Sequence, residues 1–140
     1  MTQPHATAVA HGPRAVMIVG ASGTGKSCLA LELMALGAML VADDKVILTN
    51  LGAEIQLSCP KVGKGLIEAR GVGLLSVNCC DKAMLEFVVD LDKTVLKRLP
   101  IPETTEILGV NVPVISGGSV ANLASIVWCL LKGGQILPTE

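Results

Sequence analysis

Aromatic residues are almost missing from this chain: of 140 residues one is Phe, one is Trp and none is Tyr. With 51% of residues apolar, the core must be built from Leu, Val, Ile and Ala. No run approaches the ~20 apolar residues that a membrane helix needs. The most apolar stretch, Val120 to Leu131, is short and carries Asn122 and Ser125. No positively charged start leads into an apolar run, so no signal peptide is expected. Charge of one sign is also lacking. The formal net charge is −1, which gives no basis for binding nucleic acid or a membrane surface. The five cysteines (Cys28, Cys59, Cys79, Cys80 and Cys129) contain no C-x-x-C pair. They are expected to be reduced and mostly packing residues of a cytoplasmic protein, with Cys28 and Cys129 inside helices among apolar neighbours. No repeat or low-complexity segment is found. The length suits a single domain over 1–140, with tails at 1–4 and 135–140.

What is present is concentrated between Ala15 and Leu36. Ala15-Val-Met-Ile-Val19 reads as a buried strand. Gly20-Ala21-Ser22-Gly23-Thr24-Gly25-Lys26-Ser27 then fits G-x-x-x-x-G-K-[ST], and Cys28 to Leu36 reads as a helix with Leu29, Leu33 and Leu36 on one face, stopped by Gly37. Gly20, Gly23 and Gly25 let the backbone aim several N–H groups at one point, where the positive helix end also acts. Lys26 can reach the outer phosphates of a nucleotide, and Ser27 can place its hydroxyl on a magnesium ion. The loop predicts phosphate binding without saying which reaction follows.

Around it the chain reads as short extended pieces. His5 to Ala10 and Ala15 to Val19 form a hairpin about His11-Gly12-Pro13-Arg14. Ala38 to Ala42 is a strand ending on Asp43-Asp44, Lys45 to Thr49 is extended, and Glu54 to Leu57 is another strand. Leu66 to Leu75 is an apolar stretch after the basic loop Lys61 to Gly65. Leu85 to Leu91 is a strong strand, and Lys93 to Glu106 a charged loop. Two short strands, Ile107 to Val110 and Val112 to Ile115, flank Asn111. Ser116-Gly117-Gly118 is a turn, and Ser119 caps a final helix reaching about Leu131. Two helices and about eight strands predict an α/β fold with a mixed sheet.

Phosphoryl transfer needs a carboxylate near the metal and a general base. Asp43-Asp44 stands at the end of the strand after the loop helix, where strand ends line the ligand crevice of α/β proteins. Adjacent residues point opposite ways, so one aspartate can face the phosphates while the other braces the loop. A plain Asp-Asp turn is the alternative. Glu68 and Arg70 share a face if the chain is extended there, placing a metal-binding carboxylate beside a phosphate-binding guanidinium. A surface ion pair accounts for them equally well. His5 and Arg98 carry no signal from spacing alone.

The combination is more specific than any one part. His5-Ala6-Thr7-Ala8-Val9-Ala10, the loop Gly20 to Ser27, Leu40-Val41-Ala42-Asp43-Asp44-Lys45-Val46 and Ile67-Glu68-Ala69-Arg70-Gly71-Val72-Gly73 resemble the HPr kinase/phosphorylase family, in a short form with the catalytic domain alone. Lys97-Arg98-Leu99-Pro100 and Ile107 to Pro113 extend the resemblance to about residue 115. The resemblance implies a fold like the nucleotide-binding domain of phosphoenolpyruvate carboxykinase. It implies a kinase that acts on a serine of the phosphocarrier protein HPr in the sugar phosphotransferase system, with ATP or pyrophosphate as donor and Mg2+ as cofactor. It assigns His5, Lys26, Asp44 and Arg98 to catalysis, Gly20 to Ser27 to the nucleotide, and Ser27 and Glu68 to magnesium; the reading of the residues above adds Asp43 and Arg70 in support. Full-length relatives form hexamers. This sequence departs from the family at Cys28, at Ala69, and at Ser116-Gly117-Gly118-Ser119, which replaces the glycine-arginine-asparagine loop used in dephosphorylation. That last change also leaves open a regulator that senses ATP and acts through a partner such as a sensor kinase.

Overall fold

Alternating small and branched residues in β1 (Thr7–His11) and β2 (Arg14–Val19) send Val9, Val16 and Ile18 to one face of a sheet and Ala8, Ala10, Ala15 and Met17 to the other. Both faces are buried, which is why these strands read as nearly continuous apolar runs. The computed structural model describes residues 3–95, 97–98 and 100–137. Its remaining elements are α1 (Lys26–Leu36), β3 (Met39–Ala42), β4 (Ile47–Asn50), β5 (Ile55–Ser58), β6 (Leu66–Ala69), β7 (Gly73–Ser76), β8 (Lys82–Asp90), β9 (Glu103–Ile107), β10 (Val110–Ser116) and α2 (Leu123–Leu131).

The main sheet runs β3-β1-β2-β8-β10-β9, with the β4–β5 hairpin joined to it through β5 and β8. β2, β8 and β10 are mutually parallel, and β1 lies antiparallel between β2 and β3. The mixed α/β sheet expected from the sequence is therefore what the chain forms. The parallel arrangement also brings the carboxyl ends of β3, β2, β8 and β10 to one edge, together with the amino end of β1.

One face is covered by the helices. Leu29, Ala30 and Leu33 of α1 and Ala124, Val127 and Leu131 of α2 pack on Val9, Val16, Ile18, Phe87 and Val89. A fully buried leucine such as Leu33 contributes roughly 2 kcal/mol over an exposed one. The other face is lined largely by alanines, whose small side chains let Val46, Leu48, Ile55 and Leu57 of the β4–β5 region come down close. The scarcity of aromatics is thus met by close approach of backbones. Gly37 ends α1 as expected: at φ 127 its N–H bonds Met34 O at 3.1 Å, and a Cβ there would stand 3.3 Å from the Trp128 ring.

Several expectations are corrected. Leu36 is 45% exposed, because the buried stripe of α1 turns to Ala30. The charged loop ends before Glu103, where β9 begins, and the hairpin turn falls at Leu108-Gly109, so Asn111 lies within β10 opposite Glu106. Leu66 to Leu75 folds as the β6–β7 hairpin. Ser119 does not cap α2. Its Oγ donates to Val95 O at 3.3 Å, and Asn122 stands at the helix start in a left-handed conformation. Cys28 and Cys129 face outward on their helices instead of packing inward. Pro4, placed in a tail, accepts the Val46 N–H at 3.3 Å. Residues 1–2 and 138–140 of the expected tails, and Leu99 of the Lys97 to Pro100 segment, lie outside the described residues.

Candidate phosphoryl-transfer site

The loop between β2 and α1 owes its shape to glycines at positive φ: Gly20 at 153, Gly23 at 83 and Gly25 at 100. Gly20 is further confined, since a Cβ there would lie 2.7 Å from Thr24 Oγ1 and 3.2 Å from Leu91 Cβ. Thr24 closes the turn, with both its N–H and its hydroxyl donated to Ala21 O, at 3.2 and 2.7 Å. α1 then begins at Lys26 with no side-chain cap on its first turn. Those uncapped N–H groups, at the positive end of the helix dipole, are suited to an anion. Lys26 is 8% exposed, and its ammonium group donates to Gly20 O at 2.7 Å and Ala21 O at 3.2 Å. The charge is held over the loop, within a side-chain swing of an incoming phosphate.

Asp43 links three segments. One carboxylate oxygen, Oδ1, accepts the hydroxyls of Ser27 at 2.9 Å and Thr7 at 2.8 Å, and the other, Oδ2, accepts the Glu68 N–H at 3.2 Å. The phosphate loop, β1, the end of β3 and β6 therefore meet at one side chain. Asp43 is the bracing aspartate. Asp44 points away from it, exposed at φ 74, and its carboxylate is paired with His5 Nε2. His5 is carried there by a bridge pairing it with Lys45 and by the Ala6 N–H bond to Asp44 O at 3.1 Å.

The structure thus gathers His5, Lys26, Ser27, Asp43, Asp44 and the backbone of Glu68 on one sheet edge. Arg70 and Arg98 are placed differently. Arg70 sits in the β6–β7 turn, so the extended geometry that would align it with Glu68 stops at Ala69. Arg98 stands exposed on the segment between β8 and β9, and among the described residues no hydrogen bond or ion pair joins either arginine to the loop. No three His, Cys, Asp or Glu side chains among the described residues converge to hold a metal by themselves. The donors beside the loop are hard oxygens, the Ser27 hydroxyl and the Asp43 carboxylate that accepts it, while Glu68 is joined to them through its backbone N–H. That set fits magnesium, which takes few protein ligands and fills its shell with phosphate oxygens and water.

Two residues of this edge are not apparent from motifs. Thr7 is 1% exposed and the one buried polar residue of β1. Asp92 follows the end of β8, and its two carboxylate oxygens accept the Ala21 N–H at 3.1 and 3.0 Å. The strand-end rule that singles out Asp43-Asp44 applies equally to β8, the parallel neighbour of β2.

An uncapped helix start, a glycine loop with a buried lysine, and carboxylates from a parallel strand end define a phosphate-loop α/β domain. The family model described as HPr Serine kinase C-terminal domain matches residues 2–127, and the chain belongs to that family. Curated relatives include the HPr kinase/phosphorylase of Nitrosomonas europaea, 36% identical over 80% of this chain and 40% of that protein. That of Aromatoleum aromaticum is 40% identical over 77% of this chain and 41% of its own length. The chain spans about two fifths of these relatives. Among solved structures, the Hpr(Ser) kinase/phosphatase from Coxiella burnetii superposes with a TM-score of 0.82 at 28% identity, covering 94% of this chain and 95% of that one. No helix among the described residues is long and apolar enough to cross a membrane.

Proposed function

We propose that this domain is an ATP-dependent serine kinase whose substrate is the phosphocarrier protein HPr. The observation that carries this most is the 2.9 Å hydrogen bond from Ser27 to Asp43, which ties the phosphate loop to the strand end bearing Asp44. A loop alone binds phosphate; a loop joined to an exposed carboxylate on the same edge can also activate a hydroxyl.

In this scheme the loop amides and Lys26 hold the nucleotide phosphates. Ser27 and Glu68 would hold Mg2+, which when bound neutralises charge on the phosphates. Asp44 takes the proton of the HPr serine as its oxygen attacks the γ-phosphorus. The new O–P bond forms while the bond to the β,γ-bridging oxygen breaks, and ADP leaves. His5, paired with Asp44, orients that carboxylate toward the incoming hydroxyl. Arg98 would reach the transferred group from the segment between β8 and β9, where its exposure leaves it room to swing.

The test is transfer of the labelled γ-phosphoryl group of ATP to purified HPr. Asp44→Asn should keep nucleotide binding within about threefold and lower transfer by about 10³, the middle of the range for a general base. A native protein that binds ATP and never labels HPr would reject the kinase and favour the nucleotide-sensing alternative.

A further inference from the structure

Asp92 lies outside the residues that the loop motif and the Asp43–Ser27 link bring into the site. It stands across the loop from them, on the chain leaving β8. Both of its carboxylate oxygens lie within 3.1 Å of the Ala21 N–H. Asp92 is itself fixed, because its own N–H donates to Asp90 Oδ1 at 2.9 Å. The segment carrying it is held on two sides. Leu91 N–H bonds Val19 O at 2.9 Å, immediately before the loop. On the far side, Gly117 N–H bonds Asp90 O at 3.0 Å and Gly118 N–H bonds Lys93 O at 2.9 Å. The glycine pair is fitted to this contact: a Cβ on Gly118 would meet Leu91 O at 2.7 Å and Lys93 O at 2.8 Å. The late turn, the exit of β8 and the second residue of the phosphate loop therefore form one hydrogen-bonded strap.

The consequence lies in where Ala21 sits. Its N–H is held by Asp92, while its carbonyl receives the Thr24 N–H, the Thr24 hydroxyl and the Lys26 ammonium group. The Ala21 N–H shares its peptide plane with the Gly20 carbonyl, so holding it also sets the carbonyl that receives the Lys26 ammonium group at 2.7 Å, immediately before the carbonyl that organises the loop turn. We infer that Asp92 is a positioning residue of the phosphate site, which holds the loop in its anion-binding shape by accepting the Ala21 N–H. This inference rests on the phosphate-binding function proposed above.

The role has an unusual signature because Asp92 brings two opposed effects. As an acceptor it preorganises the loop and favours binding. As an anion beside a site for phosphates it disfavours binding. Asparagine keeps an acceptor and drops the charge; alanine drops both. Calorimetric titration with MgATP should find Asp92→Asn binding at least as tightly as the native protein. Asp92→Ala should bind about fivefold more weakly, the loss of one charge-assisted bond at an exposed position. Amide exchange at Ala21, followed by NMR, should quicken in Asp92→Ala and stay near native in Asp92→Asn. A merely structural role would move melting temperature and affinity together in both variants. Native binding with Asp92→Ala equally tight, or Asp92→Asn weaker than Asp92→Ala, would overturn Asp92's role alone. Failure of the native protein to bind MgATP would instead remove the phosphate site on which the role depends.

Discussion

Replacing Asp43 by alanine tests whether one side chain holds the site together. Three donors lose their acceptor: the Thr7 hydroxyl, the Ser27 hydroxyl and the Glu68 N–H. The Glu68 N–H is exposed and Ser27 half-buried, so water can take over and each contributes about 0.5–1 kcal/mol. Thr7 is 1% exposed, so its hydroxyl would be left without a partner, at about 1–2 kcal/mol. The sum is about 3 kcal/mol, which for a domain of this size lowers the melting temperature by roughly 9 °C. Thr7→Val is nearly isosteric and removes the donor, so it should cost about 1 kcal/mol. In the double variant no hydroxyl is orphaned, and the cycle should show about 1 kcal/mol of coupling. Urea unfolding of all four proteins measures these terms. A loss under about 1 kcal/mol for Asp43→Ala, or additivity within about 0.3 kcal/mol, would refute the bracing role.

Lys26→Met keeps the length of a side chain that is 8% exposed, so the fold should persist while MgATP affinity, read by calorimetry, falls at least about thirtyfold. Gly118→Ala drives a Cβ into two backbone carbonyls that have no flexible end to move, and should cost about 2 kcal/mol in urea unfolding. Burial pushes the Cys59 and Cys80 thiols up from their ordinary value, so less thiolate is present near pH 8; iodoacetamide should modify exposed Cys28 and Cys129 first, as mass spectrometry of a time course would show.

The loop was legible because its glycines have no other use: three positive φ angles and a strand-to-helix turn leave few alternatives to the motif. The mixed sheet followed from counting short strands against one early helix. What local pattern could not give was pairing across the chain. Ser119 looks like a cap from its neighbours, yet Val95, far away in sequence, takes its hydroxyl. Arg70 looks aligned with Glu68 only while the strand is assumed to continue; the β6–β7 turn intervenes. The outward faces of Cys28 and Cys129 depend on which side of each helix meets the sheet, and apolar neighbours on all sides hide that choice. Thr7 and Asp92 gain meaning only from β1 and β8 lying beside β2.

Asp44 shows how strain and chemistry meet at this edge. Its φ of 74 is a conformation that glycine adopts freely and other L residues adopt at a cost of roughly 1–2 kcal/mol, with aspartate among the better tolerated. Its pairing with His5 offsets little of that, since the two side chains are 67% and 56% exposed and such pairs are worth under about 1 kcal/mol. By stability alone, then, glycine suits this position better than aspartate, which accords with the proposed role of the carboxylate as the base. Comparing Asp44→Gly with Asp44→Ala isolates the backbone term, because both lose the carboxylate and the His5 contact. The glycine variant should be more stable by about 1 kcal/mol, near 3 °C in melting temperature, once its greater freedom in the unfolded chain is subtracted. Both should be equally unable to label HPr. If the alanine variant proved as stable as the glycine one, the backbone at Asp44 would carry no strain, and its left-handed turn could no longer be linked to the chemistry of the site.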